Sequence, residues 1–203
     1  MKKATILFLI LIILPFYVIS QTIEDIDYIS PFNNELSAIK KGNQWAFINT
    51  EGSIVINFRD DLVSTKTNKA NYPIFKNNRC LISKKKDGIS YFGYIDKTGK
   101  TIVEPRFLNA TNFDNNIAFA LELMREDIGK NKLNKQVYYY KYFEVLINTD
   151  GKITKYLEPD NPTYIALDKT ELSVPPKIIS KLLSSKVFAI QSKTKKWKIV
   201  QIK

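Results

Sequence analysis

Histidine is absent from this chain of 203 residues, cysteine occurs once, at Cys80, and there are only seven glycines. A Ser-His-Asp triad, a Cys-His nucleophile pair, a histidine-ligated zinc site and a disulfide framework each need residues that the chain does not have. Carboxylates are the remaining groups for general acid-base catalysis. We therefore expect a non-enzyme with no cofactor and no bound metal. The 44% of hydrophobic and 25% of charged residues are ordinary for a globular protein.

The N-terminus has the pattern of an export signal. Lys2 and Lys3 precede an apolar stretch over residues 4–19, and small or modest residues lead into Gln21. This stretch of 16 residues is shorter than the roughly 20 that span a bilayer, and Pro15 interrupts it. We predict a signal peptide over 1–20 that is cleaved, which leaves one repetitive domain over 21–203 in the periplasm or outside the cell. An uncleaved membrane anchor is the alternative; after cleavage no membrane span is expected.

The chain is basic, with a formal net charge of +11. Its densest run of lysines is Lys84, Lys85 and Lys86. Such a run is usually a solvated loop, but it also suits attraction to anionic polysaccharide, phospholipid or nucleic acid. Nucleic acid is the least expected partner of an exported protein. Cys80 lies in a β-like stretch and is expected to be a buried apolar residue.

Internal repetition is the strongest feature of the sequence. Three segments share an aromatic residue, a β-like run ending in Ile and Asn or Asp, and a turn with glycine: residues 45–56, 92–103 and 143–153. Their glycines, Gly52, Gly99 and Gly151, are 47 and 52 residues apart. Each segment follows a short strand (36–40, 80–84 and 117–121) and an aromatic residue with an asparagine pair (32–34, 75–78 and 113–116). An incomplete fourth copy over 187–200 places Trp197 where Trp45 stands.

These copies predict an all-β fold of antiparallel hairpin and meander units. The units cover about 31–74, 75–112, 113–160 and 186–203, and the array is expected to curl into a barrel or a partial propeller. Asn or Asp followed by glycine closes each hairpin, and neighbouring units must bury each other's apolar faces. Apolar residues at 178, 179, 182 and 183 predict one short helix over 173–183. A Lys- and Asn-rich loop from Arg125 to Gln136 is expected to project from the body.

The repeated segment resembles the WG-repeat family, a bacterial β-repeat named after its Trp-Gly pair. The best match is 92–107, where Phe92 replaces the tryptophan before Gly93 and the copy ends in Ile-Val-Glu-Pro-Arg-Phe. The first copy keeps Trp45 but has Ala46 for the glycine, and the third has Phe143-Glu144. The resemblance implies repetitive β structure and a role in binding or assembly, and it implies no catalytic residues.

Tyrosines dominate the candidate binding residues. On a strand Tyr138, Tyr140 and Tyr142 share one face, and Tyr139, Lys141 and Phe143 share the other. Exposed tyrosines stack on sugars or form protein interfaces, whereas a buried row would fill the core. With the lysines at 84–86 they are our candidate site.

Three functions stay open. The first is an exported, non-catalytic binding or scaffold module whose partner is a protein or a cell-envelope glycan. The second is a carboxylate-dependent hydrolase of cell-envelope polysaccharide. Its carboxylates would come from Asp60, Asp61, Glu104, Asp150, Glu158 and Asp160. The third is a structural component that binds only itself. The oligomeric state is left open.

Overall fold

A computed structural model describes residues 22–68, 70–168, 170–192 and 194–201. The predicted signal peptide lies outside these residues. The described part is all-β with antiparallel pairing, as expected, and it forms no closed barrel. Within the same ranges no helix is long and apolar enough to cross a membrane.

Four sheets follow one another along the chain. In the first sheet the strands are β1 (Tyr28–Ile29), β2 (Ser37–Lys41), β3 (Gln44–Ile48) and β4 (Ile54–Arg59). A small hairpin follows, made of β5 (Thr65–Lys66) and β6 (Asn71–Tyr72). The second sheet contains β7 (Cys80–Lys86), β8 (Ile89–Ile95) and β9 (Thr101–Phe107).

The third sheet is the largest, and the fourth follows it. The third sheet contains β10 (Ala118–Lys130), β11 (Gln136–Ile147), β12 (Ile153–Tyr156) and β13 (Thr163–Ile165), with β12 and β13 both paired to β11. The fourth contains β14 (Lys181–Ser184), β15 (Val187–Gln191) and β16 (Trp197–Gln201). Each of the four sheets thus has a three-stranded antiparallel meander.

The glycine turns have one geometry. In the first, Gly52 N donates to Asn49 O at 3.0 Å and Asn49 N donates to Ser53 O at 3.0 Å. The same two bonds recur in the turns 96–100 and 148–152. Gly52, Gly99 and Gly151 have φ angles of +82°, +83° and +75°, a region that favours glycine. The repeated turn predicted from the sequence is therefore present.

The asparagine pairs form a second repeated turn. Two consecutive residues have positive φ in each copy: Asn34 and Glu35, Asn77 and Asn78, and Asn115 and Asn116. Positive φ at both central residues is the geometry of a type I′ hairpin turn, and asparagine tolerates it better than most residues. These turns start the strand pairing in front of β2, β7 and β10.

Consecutive sheets bury their faces against each other. Phe47 and Ile56 of the first sheet pack in one cluster with Ile82 and Ile95 of the second. The other face of the second sheet is buried as well, against the third sheet, in a cluster that joins Leu81, Phe92, Tyr94, Val103, Phe107, Ala118, Ala120, Val145 and Ile147. Since a strand alternates its side chains between two faces, the second and third sheets each need two neighbours.

The fourth sheet packs in the opposite orientation. In the second and third sheets, Ile95 and Ile147, directly before the turn, face the preceding sheet. The corresponding residue of the fourth sheet is Gln191, a polar residue. Phe188 and Ile190, from the alternate positions, pack against the third sheet instead. A polar residue in this place explains the reversal, because it would be costly to bury.

Strand pairing corrects two details of the predicted alignment. Glu144, not Phe143, occupies the aromatic position of the third copy, since it pairs with Leu121 as Phe92 pairs with Ser83. In the fourth copy the position of Trp45 is occupied by Phe188 of β15. The prediction that Trp197 occupies this position was wrong, because Trp197 lies one strand later. Trp197 opens β16, where it pairs with Gln191.

The short helix predicted over 173–183 was also wrong. Residues 173–180 have no regular structure, and Lys181–Ser184 form β14. Ile178 and Leu182 contact the core while Ile179 and Leu183 are exposed, which is an alternation by two and not by helical spacing. The apolar residues at 178, 179, 182 and 183 fit both the helical spacing and the alternation of a strand. The segment forms a strand because it can pair with the edge of β15.

The segment from Arg125 to Gln136 is mainly hairpin and not loop. β10 continues to Lys130, β11 starts at Gln136, and only 131–135 form a turn. This turn repeats the five-residue design, with Asn131 in the first position and Asn134 (φ +58°) in place of glycine. The Lys- and Asn-rich composition predicted a loop because both residues are common in loops, but the local turn chemistry allows pairing.

Candidate ligand-binding site

The long hairpin of β10 and β11 carries the predicted tyrosine row. Tyr142 packs beside Leu121 and Leu123 in a core cluster. Tyr140 is half-buried and Tyr138 is exposed at 37%. The guanidinium carbon of Arg125 lies 4.5 Å from the ring centre of Tyr138, a cation-π contact. The row therefore runs from the core at Tyr142 to solvent at Tyr138.

The opposite face of the hairpin is more exposed. Tyr139 is exposed at 54%, and its ring meets that of Tyr164 edge to face at 6.4 Å. Tyr164 is exposed at 61% and belongs to β13, which pairs with β11 at residues 140–142. The ammonium of Lys141, bound to Glu126 at 2.8 Å, lies on the same face. Tyr164 lies outside the tyrosine run and has no repeat signal, so the sequence analysis missed it.

A cavity lies between the first part of β11 and the segment that follows β13. It has a volume of about 710 Å³, and tyrosines 138, 139, 140 and 164 line it together with Ile165, Leu167 and Glu171. We name it the tyrosine cavity. Its size is within the range of small-molecule and cofactor sites, and its lining is mainly aromatic and apolar.

A second cavity of about 620 Å³ contains the predicted lysines. Lys84, Lys85 and Lys86 line it with Tyr91, Arg106 and Leu167. Asp87 and Glu104 also line it. We name it the lysine cavity. All three lysines are exposed, and β7 and β8 are joined by a two-residue turn at Asp87 and Gly88.

The two cavities are neighbours. Leu167 lines both of them. The pKa of Tyr91 in the lysine cavity is raised, mainly by burial and further by the nearby Asp87 and Tyr140, which lines the tyrosine cavity. The structure thus brings the two predicted groups, the tyrosines and the lysines, to one surface. We name the two cavities together the Tyr-Lys groove.

Two of the six candidate carboxylates, Asp61 and Asp150, are paired with arginines. Asp61 accepts from Arg59 at 2.5 and 2.8 Å, and Asp150 lies 3.6 Å from Arg79. Asp60, Glu104 and Asp160 are exposed. In the part of the chain that the structure describes, no group of three or more Cys, Asp or Glu residues is arranged to hold a metal.

Two glutamates do line one cavity. Glu144 and Glu158 face a space of about 170 Å³ between the third and fourth sheets. Burial raises the pKa of Glu144, although hydrogen bonding from Ser180 opposes the effect. Ser180 N donates to Glu144 Oε1 at 2.9 Å, so this carboxylate fastens the segment before β14 to β11. The space is smaller than most ligand sites.

Comparison with known families explains the repeats. A family model described as WG containing repeat matches residues 25–45 and 92–122. These two matches support assignment of the repeated segments to the WG-repeat family. No match was found among curated proteins or among solved structures.

The WG repeat does not coincide with one sheet. The match over 92–122 begins at Phe92 in the middle strand of the second sheet and ends in β10, the first strand of the third sheet. Between them, residues 108–111 bond to the edge of β10, for example from Leu108 N to Leu121 O at 2.9 Å. One WG repeat therefore spans two sheets, which ties neighbouring sheets together covalently.

The glycine of the WG motif makes room for the third strand. A Cβ atom built on Gly93 would lie 2.2 Å from the backbone oxygen of Val103 and 2.7 Å from Pro105 N. β9 comes this close because it bulges: between the pairs Tyr94–Val103 and Phe92–Phe107 it has two more residues than β8. In the first sheet Ala46 takes the place of Gly93, and β4 has only one more residue than β3 there. The degenerate motif is thus matched by a smaller bulge.

Proposed function

We propose that this WG-repeat protein is an exported, non-catalytic binding module whose ligand site is the Tyr-Lys groove. The observation that carries the proposal is the shared wall at Leu167, which joins an aromatic cavity to a basic one. The export itself rests on the predicted signal peptide. The stacked sheets act as the scaffold, and we propose a partial-propeller arrangement for them.

The ligand class that suits this groove is an anionic glycan strand. Tyr139 and Tyr164 offer exposed rings on which sugar rings stack, and tyrosine loses little conformational freedom on binding. Lys84 to Lys86 would pair with carboxylate or phosphate groups of the same strand. Because the two cavities lie side by side, several sugar units are needed to reach both.

Titration of the whole chain with anionic and neutral oligosaccharides of cell-envelope type tests the proposal. We expect Tyr164→Ala to weaken binding of both kinds, and Lys84→Gln with Lys85→Gln to weaken only the anionic kind. Phe32→Ala is the matched control, because Phe32 is an aromatic residue exposed at 53% in the turn region before β2. Equal binding by the control and by both groove variants would contradict the proposal.

A carboxylate-dependent hydrolase is the second candidate, and one observation favours it. Glu144 and Glu158 line the same cavity, and Glu144 is of the kind that remains protonated to a higher pH, as a general acid does. Release of reducing ends from envelope polysaccharide, lost in Glu158→Gln, would support this function. If the unmodified chain releases no reducing ends, the hydrolase is contradicted and the binding module is retained.

A further inference from the structure

The C-terminal part of the chain has an unusual charge. Residues 172–203 contain eight lysines and no aspartate or glutamate. Since the formal net charge of the whole chain is +11, this segment holds most of it. The six of these lysines that the structure describes are all exposed: Lys177, Lys181, Lys186, Lys195, Lys196 and Lys198.

The outer face of the fourth sheet is apolar at its centre. Trp197 and Ile199 of β16 are exposed at 47% and 68%. Pairing places Trp197 opposite Gln191 and Ile199 opposite Ala189, on the side away from Phe188 and Ile190. The reversed packing of the fourth sheet explains why this face points outward. We name it the Trp197 face.

Lysines border the Trp197 face on several sides. Lys181 pairs with Ala189 on this face, and its ammonium lies 5.1 Å from the centre of the Trp197 ring. Lys195 and Lys196 lie in the turn before Trp197, and Lys186 lies at the opposite end of the sheet, before β15. The acidic side chains of the neighbouring cavity, Glu144 in β11 and Glu158 after β12, line it together with Ile190, which faces the third sheet.

We propose that the Trp197 face docks on the surface of an anionic phospholipid bilayer. Tryptophan and aliphatic side chains enter the headgroup region, while lysines around them pair with lipid phosphates and keep their charged ends in water. A soluble polyanion would match the lysines but would leave Trp197 and Ile199 in water. This docking does not depend on the Tyr-Lys groove, which lies on the second and third sheets.

Vesicle binding by the whole chain tests the proposal. Vesicles containing phosphatidylglycerol are compared with vesicles of phosphatidylcholine alone. We expect binding to the anionic vesicles and a blue shift of tryptophan emission, which must come from Trp197 because Trp45 is only 8% exposed. Lys195→Gln with Lys196→Gln should weaken binding by about 25-fold, about fivefold for each lysine. Trp197→Ser with Ile199→Ser should weaken it about tenfold and abolish the shift.

Matched variants make the outcome decisive. Lys130→Gln with Lys132→Gln removes the same charge from the tip of the hairpin of β10 and β11, and Phe32→Ser removes an exposed aromatic residue before β2; both should bind as the unmodified chain does. Since residues 4–19 are apolar, binding that is the same in every variant would assign the lipid contact to another part of the chain. Equal weakening by either lysine pair, or tight binding by the Trp197 variant, would likewise overturn the proposal. Full competition with the vesicles by inorganic polyphosphate, without a shift of tryptophan emission, would also overturn the proposal.

Discussion

Arg106 donates a hydrogen bond from Nη2 to the carbonyl oxygen of Gly151, 3.0 Å away, and so joins β9 of the second sheet to the glycine turn of the third. Arg59 makes the same bond one repeat earlier, from Nη1 to Gly99 O at 3.0 Å. The turn glycines also sit on the preceding sheet, because a Cβ atom at Gly99 would touch Ile56 and one at Gly151 would touch Val103. The glycine turns of the second and third sheets are thus part of the interfaces between sheets.

Arg106→Ala should lower the free energy of unfolding by about 1–2 kcal/mol, since a charge-assisted hydrogen bond is lost and Glu122 loses its partner at 3.1 Å. Arg106→Lys should restore part of the loss, because it keeps the charge but not the planar fork. Urea denaturation measures both. A loss no larger than that of Lys85→Ala, on the exposed end of β7, would show that this bond does not stabilise the stack.

Gly52→Ala and Gly151→Ala separate backbone strain from packing. Both positions have positive φ, but a Cβ at Gly52 meets nothing within 4 Å, whereas one at Gly151 lies 2.6 Å from Val103 Cγ1. We expect Gly52→Ala to cost about 1–2 kcal/mol and Gly151→Ala about 1–3 kcal/mol more. Equal costs in urea denaturation would mean that the turn of the third sheet does not rest on Val103.

Lys195→Gly should stabilise the protein. Lys195 takes the place of the turn glycines in the fourth sheet, where Lys195 N donates to Ser192 O at 2.9 Å, and its φ is +61°. Glycine adopts this φ without a steric cost, so we expect a gain of about 0.5–1 kcal/mol after the loss of chain entropy. Thermal unfolding measures it. A decrease in melting temperature would show that the fourth turn differs from the others.

Glu144 should make stability depend on pH. Its pKa is raised by burial, so the folded state favours the protonated carboxyl. A group whose pKa is higher in the folded than in the unfolded state contributes its full stabilisation at a pH below the unfolded-state pKa. This contribution to the free energy of unfolding is lost as the pH rises through the folded-state pKa. Relative to the unmodified chain, Glu144→Gln should therefore gain stability as the pH is raised from 4 to 7. A difference that is constant across this range would contradict the assignment.

Local chemistry made the turns predictable, and pairing decided what the sequence left open. Asn49, Asp96 and Asn148 each accept backbone bonds two and four residues ahead, so their role could be read without any tertiary information. The alignment of Glu144 and Phe188 could not be read in this way. An alignment shifted by one residue or by one strand matches similar residue types. Only the observed hydrogen-bonded pairing of the strands distinguishes between these alignments.

The site was predictable in part for the same reason. The tyrosines of β11 and the lysines of β7 stood out as runs, and the structure places them at one groove. Tyr164 and Leu167 complete that groove from a segment with no periodic pattern, because β13 reaches β11 only through tertiary pairing. The basic outer sheet could have been found from the acid-free segment 172–203, but the net charge of the whole chain hid it.

The central claim is that the sheets are stable only as a stack, and Trp45 provides the most direct test of it. Phe113 packs between the second and third sheets, with its ring 4.6 Å from that of Tyr94, and it is absent from the cluster that holds Trp45. In a Trp197→Phe background, urea unfolding is followed by Trp45 fluorescence with and without Phe113→Ala. We predict that Phe113→Ala lowers the Trp45 midpoint together with that of the circular dichroism, by about 3–5 kcal/mol in unfolding free energy. An unchanged Trp45 midpoint would show that the first sheet folds without the others and would contradict the account.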